Sequence, residues 1–256
     1  MEFIASLKER NAILLWFGAI NLVAAVVLVF FSFLKPIEFG STNAWYKPIK
    51  FTLSTAILSF SIAWYTGYLT MSRDIHLINW IIVITLAFEI IYITWQAARG
   101  EASHFNQSTP FYSFMYSMMA LAATVATMAI GYLGIKFFTT PINDLPLYYV
   151  WAIRFGFVLF FIFSFQGFIM GARMAHTVGA NDGVKGIPFL NWSISYGDLR
   201  IAHFIGMHAL QVLPLLAWYV LKNTTLTVLV SVMYALLAIF ILVVALKGNS
   251  IVGRWY

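Results

Sequence analysis

Seven apolar stretches dominate this chain, and each is long enough to cross a bilayer as a helix. They run Ala12–Leu34, Pro48–Leu69, Leu77–Ala98, Phe111–Phe137, Tyr148–Gly171, Arg200–Leu221 and Leu226–Leu246. A crossing helix needs about 20 largely apolar residues, whereas a membrane strand needs only about 9–11 alternating ones. A helix also satisfies its own backbone hydrogen bonds, which a hydrocarbon environment demands. The expected fold is therefore all-α: a polytopic membrane helical bundle of seven transmembrane helices, forming one domain over residues 1–256. Only 9% of the 256 residues are charged and 62% are hydrophobic, against about 25% and roughly 45–50% in soluble domains. That balance excludes both a soluble globule and a disordered chain. Residues Met1–Asn11 mix acids and bases and read as a short amphipathic lead into the first span rather than a secretory signal.

The chain has no cysteine, which removes disulfides, thiolate metal sites and Cys nucleophiles. Its net charge is +6, but the bases sit at span ends, where snorkelling and headgroup contacts account for them. The expected partner is the lipid bilayer, with no nucleic acid. With seven spans, nine bases fall on the face that holds the C-terminus and the loops after spans one, three and five, and six fall on the other. Setting aside Lys47, Lys50, Arg99, Arg173 and Arg200 as pocket candidates reverses that vote, so the positive-inside count fixes no orientation.

Ionisable groups inside a bilayer cost about 2.5–3.5 kcal/mol each, and so point to a partner or a purpose. Span three carries Thr85, Glu89, Tyr92, Gln96 and Arg99 at alternating steps of four and three, which puts all five on one helical face. Glu89 lies about 15 Å deeper than Arg99. Span six opens with Asp198, Arg200, His203, His208 and Gln211, and enters from the face on which span three ends. The expectation is that the two spans meet, with Glu89 and His208 at similar depth as an acid–base pair or an oriented metal ligand, and with Asp198 as a further catalytic candidate. A structural Glu–His bridge is the alternative.

Three further segments add to this polar end. Span two begins Trp45-Tyr46-Lys47-Pro48-Ile49-Lys50, with Lys47 and Lys50 on one stripe. After Arg99, Gly100 is suited to end the helix, and His104 with Asn106 is expected to fold back over the bundle. The longest irregular segment, Met174–Gly197, contributes His176 and Asp182. His203 and His208 are about 140° apart on a helical wheel, unlike an i, i+4 metal pair. Met115, Met118, Met119 and Met128 read as a packing stripe. Arg154, in span five, has no evident partner.

The phrases Trp45-Tyr46-Lys47-Pro48-Ile49-Lys50-Phe51, Gln96-Ala97-Ala98-Arg99-Gly100 with Ser103-His104-Phe105-Asn106, and Gly197-Asp198-Leu199-Arg200 with His203-Phe204, Gly206 and His208-Ala209-Leu210-Gln211 resemble those of an uncharacterised family of seven-span bacterial integral membrane proteins. The loop His176-Thr177-Val178-Gly179 is also similar. The resemblance covers spans two to six and implies a multi-pass protein of the bacterial cell (inner) membrane. Where that family usually has an aspartate shortly after its Thr-Pro, this chain has Phe111-Tyr112-Ser113. The resemblance implies no activity.

These residues support three expectations. The first is a metal-dependent intramembrane enzyme. A divalent metal such as zinc would be held by His104, His203 and His208, with Glu89 or Asp198 as base. Lys47, Lys50, Gln96, Arg99, Asn106, His176, Asp182, Arg200 and Gln211 would bind a lipid or another small anionic substrate. The second is a redox protein binding haem b or a quinone through histidine. The third is a binding or transport protein for a small anion or lipid, without chemistry.

Overall fold

Asn11 sets the start of the first span. The computed structural model describes residues 2–40 and 42–254, so Met1 of the N-terminal lead lies outside them. Helix α1, Glu2–Leu34, breaks at Asn11, whose φ/ψ of −162°/86° are not helical. Asn11 Oδ1 accepts from Leu14 N at 3.2 Å, the bond of an N-cap, and its Nδ2 donates to Thr66 Oγ1 at 2.9 Å. The lead is thus a separate short helix set off from the span. Arg10 anchors it, lying over the rings of Trp64 and Tyr68 and donating to Trp64 O at 3.0 Å.

The helices that follow are α2 Tyr46–Thr66, α3 Arg73–Ala98, α4 Pro110–Thr139, α5 Leu147–Arg173, α6 Leu199–Leu216 and α7 Thr224–Leu246. Among the described residues, α1, α3, α4, α5, α6 with its extension to Leu221, and α7 are long and apolar enough to cross a membrane. The chain is accordingly an all-α, multi-pass membrane protein. The seventh helix, α2, has a span's length but carries Lys47, Lys50 and a run of hydroxyl side chains. Pro214 lies inside α6. It lacks the N–H that would bond Leu210 O, and the helix relaxes into a π-turn over Ala217–Leu221.

Two short antiparallel ribbons interrupt the helices. In the first, β1 (Glu38–Phe39) pairs with β2 (Thr42–Asn43). In the second, β3 (Thr177–Val178) pairs with β4 (Gly197–Asp198). Neither shows in the hydropathy pattern, because two-residue strands carry no periodicity.

The chain divides into two compact units, Met1–Leu133 and Gly134–Tyr256, with the boundary inside α4. In the first unit α1, α2 and α3 pack together. Trp45 stacks on Phe31 at 5.4 Å and donates from its indole to Lys35 O at 2.8 Å, closing the α1–α2 connection. Met115 and Met119 pack against Tyr92 and Ile93 as expected of that stripe, whereas Met128 is exposed. In the second unit α5, α6 and α7 surround a core that includes Leu159, Phe163, Ala209, Leu213 and Ile241. There Arg154 does have a partner: it donates from Nε to Phe137 O at 2.9 Å and lies against Phe138 and Trp151.

Candidate functional site

In the first unit the loop after α3 is turned back by its own backbone. Gly100 takes φ +68°, and Glu101 N bonds to Gln96 O at 3.0 Å, a glycine stop of the expected kind. Gln96 Nε2 then donates to Ala102 O at 2.9 Å, and Asn106 Nδ2 donates to the same carbonyl at 3.3 Å. This grip aims the next two residues at α2. Ser103 is buried, and the His104 ring lies 5.9 Å from Phe51.

The central contact is Lys47 Nζ with His104 Nδ1 at 3.1 Å, with Ser103 Oγ at 3.2 Å from the same nitrogen. An ammonium can only donate. His104 Nδ1 therefore accepts, and its proton sits on Nε2. Glu89, half-buried on α3, interacts electrostatically with Lys47. Lys50 lies about one turn along α2 on the same side and is also half-buried. Arg99 is exposed at the end of α3, over Trp95 at 4.8 Å, and donates to Tyr112 Oη at 3.3 Å.

Two atoms of this region lack any hydrogen-bond partner despite full burial: Gln96 Oε1 and Tyr92 Oη, one helical turn apart on α3. Leaving a buried polar group unpaired costs about 1–3 kcal/mol. Orphans of this kind call for a ligand or a water.

The second unit gathers His176, His203 and His208, and each ring is held by its Nδ1. His176 Nδ1 bonds Asp182 Oδ2 at 2.7 Å, His203 Nδ1 bonds Phe163 O at 2.7 Å, and His208 Nδ1 bonds Gln211 Oε1 at 3.2 Å. Each acceptor is an oxygen, so each Nδ1 carries a proton, and neutral His203 and His208 then hold their lone pair on Nε2. That tautomer suits an oriented metal ligand. Among the described residues, however, no group of three or more His, Asp or Glu side chains is placed to hold a metal ion. His104, the other metal candidate, belongs to the first unit and has its Nδ1 lone pair engaged by Lys47. Likewise, the expected pairing of Glu89 with His208 draws on different units. Within its own unit Glu89 answers to Lys47, and His208 bonds Gln211 and packs its ring on Phe204 at 4.2 Å.

Asp198 and Arg200 build the floor of the long loop. Asp198 Oδ1 accepts from Arg200 N at 3.0 Å and Arg200 Nε at 2.9 Å. Its Oδ2 accepts from Ser193 N at 2.9 Å and Arg200 Nη2 at 2.6 Å. A carboxylate offers about four acceptor positions, and all are taken. Arg200 also donates to Asn191 O. Sequence reasoning missed Gln166 on α5, which is buried with neither amide atom partnered. The signal that singled out Gln96, an amide within an apolar run, was present there as well.

Asp182 ties down the start of the same loop. It accepts from the backbone N–H groups of His176 and Thr177 at 2.9–3.0 Å as well as from the His176 ring. Burial opposes its ionised form, but the hydrogen bond and charge of His176 and the two backbone donors outweigh burial. Together they hold the carboxyl well below the usual carboxylate range. A depressed folded-state pKa stabilises the folded loop above the unfolded value, about 3.9, and that contribution is lost as pH falls further. Between about pH 5 and pH 2.5 the wild-type melting temperature is expected to fall further than that of Asp182→Asn. Parallel curves in detergent-solubilised protein would contradict this.

Comparison with protein-family models, with curated proteins and with solved structures finds no match for the chain.

Proposed function

We propose that this chain is a seven-span protein of the bacterial cell inner membrane. Its function is to bind a small phosphate-type anion, or the anionic headgroup of a lipid, beside Lys47. The observation that carries the reading is the Lys47–His104 contact at 3.1 Å. The half-buried Lys47 ammonium donates to the His104 imidazole and also feels the Glu89 carboxyl on α3. Lys50 and Arg99 add positive charge. The local balance favours an anion. Tyr92 Oη can donate to an anionic oxygen and Gln96 Oε1 can accept from a ligand hydroxyl, which suits a hydrogen phosphate or a glycerol-bearing headgroup.

Seven crossings require α2 to span as well. Its 21 residues give about 31 Å, close to the hydrocarbon thickness. Four of its hydroxyls are satisfied within the helix: Thr52 to Pro48 O, Ser59 to Thr55 O, Ser61 to Ile57 O and Thr66 to Ile62 O, all at 2.7–2.9 Å. The resemblance to seven-span bacterial proteins supports the same count.

The test uses purified protein in nanodiscs of zwitterionic lipid. Radiolabelled inorganic phosphate is titrated in one arm, and retained phosphatidylglycerol is measured by mass spectrometry in the other. Hydrogen bonds to charged groups contribute about 1.5–3 kcal/mol, so Lys47→Met is expected to weaken whichever probe binds by roughly 10- to 150-fold. Failure of both probes to bind wild type, or equal binding by Lys47→Met, sinks the reading. Elemental analysis and an absorption spectrum of the same preparation test the zinc-enzyme and haem b alternatives.

A further inference from the structure

A second polar site, uncharged and independent of Lys47, lies where α5 passes α6. The register of the two helices is fixed by close approaches: Gly156 against Leu210, Gly206 against Phe163, and Gly167 against His203. Gln166 is therefore level with His203. The glutamine is 5% exposed, and neither Oε1 nor Nε2 has a hydrogen-bond partner. A helix-joining glutamine would have bonded the neighbouring helix, and this one has not. His203 has spent its Nδ1–H on Phe163 O, so its Nε2 offers a lone pair at the same depth. Gly167 lets the His203 ring pack close against α5: a Cβ there would lie 3.3 Å from His203 Cε1. The site thus offers one strong acceptor and one whole primary amide, with no charged group in the set.

We infer that His203 and Gln166 bind an uncharged, lipid-soluble hydroxyl compound of the quinol class. A ligand hydroxyl donates to His203 Nε2, and the Gln166 amide donates to and accepts from the ligand's oxygens. An anion would meet only one amide donor here, and a cation no countercharge, so a neutral ligand delivered from the bilayer fits the chemistry best. Binding is all that the inference covers; no electron transfer is involved.

The test is saturable binding of a tritiated short-chain benzoquinol, kept reduced with ascorbate, to the full chain in nanodiscs, with excess unlabelled compound defining the specific fraction. Gln166→Leu and His203→Phe are each expected to lower affinity at least tenfold. Gln166→Leu is also expected to leave the ligand-free melting temperature unchanged or raised, because it removes an unpaired buried amide. A structural glutamine would give the opposite shift. The inference is overturned if wild type shows only non-saturable partitioning, if both variants bind as wild type does, or if Gln166→Leu melts lower with its binding intact.

Discussion

Asp198→Ala is expected to destabilise the second unit by about 3–5 kcal/mol, the range for removing one partner of a buried ion pair. The Asp198 side chain is fully buried and that of Arg200 is 27% exposed, so solvent screens the pair little. Alanine removes the N-cap of α6, worth about 0.5–2 kcal/mol alone. It also orphans Ser193 N and leaves the guanidinium anchored only to Asn191 O. The loop then loses its Ser193 tie to the start of the helix. Asp198→Asn separates these contributions. Asparagine caps a helix nearly as well as aspartate but carries no charge, so its cost should fall between wild type and alanine. Thermal unfolding in detergent, read by tryptophan fluorescence, gives the ranking. Trp192 is a local reporter, since it packs on Phe204 at 5.5 Å, beside the residues that Asp198 holds. Equal melting of all three proteins would mean that the carboxylate does not anchor the loop.

The same residue shows what a sequence yields and what it conceals. An aspartate placed just before an apolar helical run is a standard N-cap signal, and Asp198 is that cap. Its place among other polar residues made it a catalytic candidate as well, and only the four bonds to Ser193 and Arg200 reveal how fully it is occupied. Helix positions were legible because burial in lipid writes long apolar runs into the chain. Arg73–Ala98 differs from the expected Leu77–Ala98 only in its polar first turn. The stop at Gly100 and the return of His104 were legible from local chemistry. The partner of His104 was not, because Lys47 lies 57 residues away and no local pattern encodes that meeting. Arg154 was illegible for a different reason. Its partner is a backbone carbonyl, Phe137 O, and every residue offers one. Gln166 was legible in principle but overlooked, since a neutral amide in an apolar span draws less attention than a charge. The polar groups of each unit therefore fall into two kinds. Asp198, Arg200, Asp182 and Arg154 are held by the protein's own groups, whereas Gln96 Oε1, Tyr92 Oη and the Gln166 amide remain unsatisfied.

Substituting the α5–α6 glycines should give a graded loss of stability, with Gly206 the most severe. An alanine Cβ at Gly206 would lie 1.9 Å from Phe163 Cγ and 2.4 Å from Phe163 Cβ. Those atoms are the root of a buried ring, so no rotation of a flexible tip relieves the clash. The helices must part, or Phe163 must leave the core it shares with Leu159, Ala209 and Leu213. Overpacking of this kind costs about 1–3 kcal/mol and occasionally more. It also threatens the Phe163 O bond that orients His203. At Gly156 the new Cβ would meet Leu210 Cα at 2.9 Å, a backbone contact that needs a smaller shift. At Gly167 it would reach His203 Cε1 at 3.3 Å, a strain of a few tenths of an ångström. Against each cost stands the helix propensity gained in replacing glycine by alanine, about 1 kcal/mol. The net sign therefore changes along the series. Gly206→Ala should fold poorly or melt well below wild type, Gly156→Ala should melt moderately below it, and Gly167→Ala should melt at or slightly above it. Gly206→Val should yield little folded protein. Had the three alanine variants melted alike, helix propensity alone would govern, and the close approach of α5 and α6 would have no energetic consequence. The expected order instead makes these helices a tightly fitted pair, rigid enough to keep the His203 ring and the Gln166 amide at fixed depth.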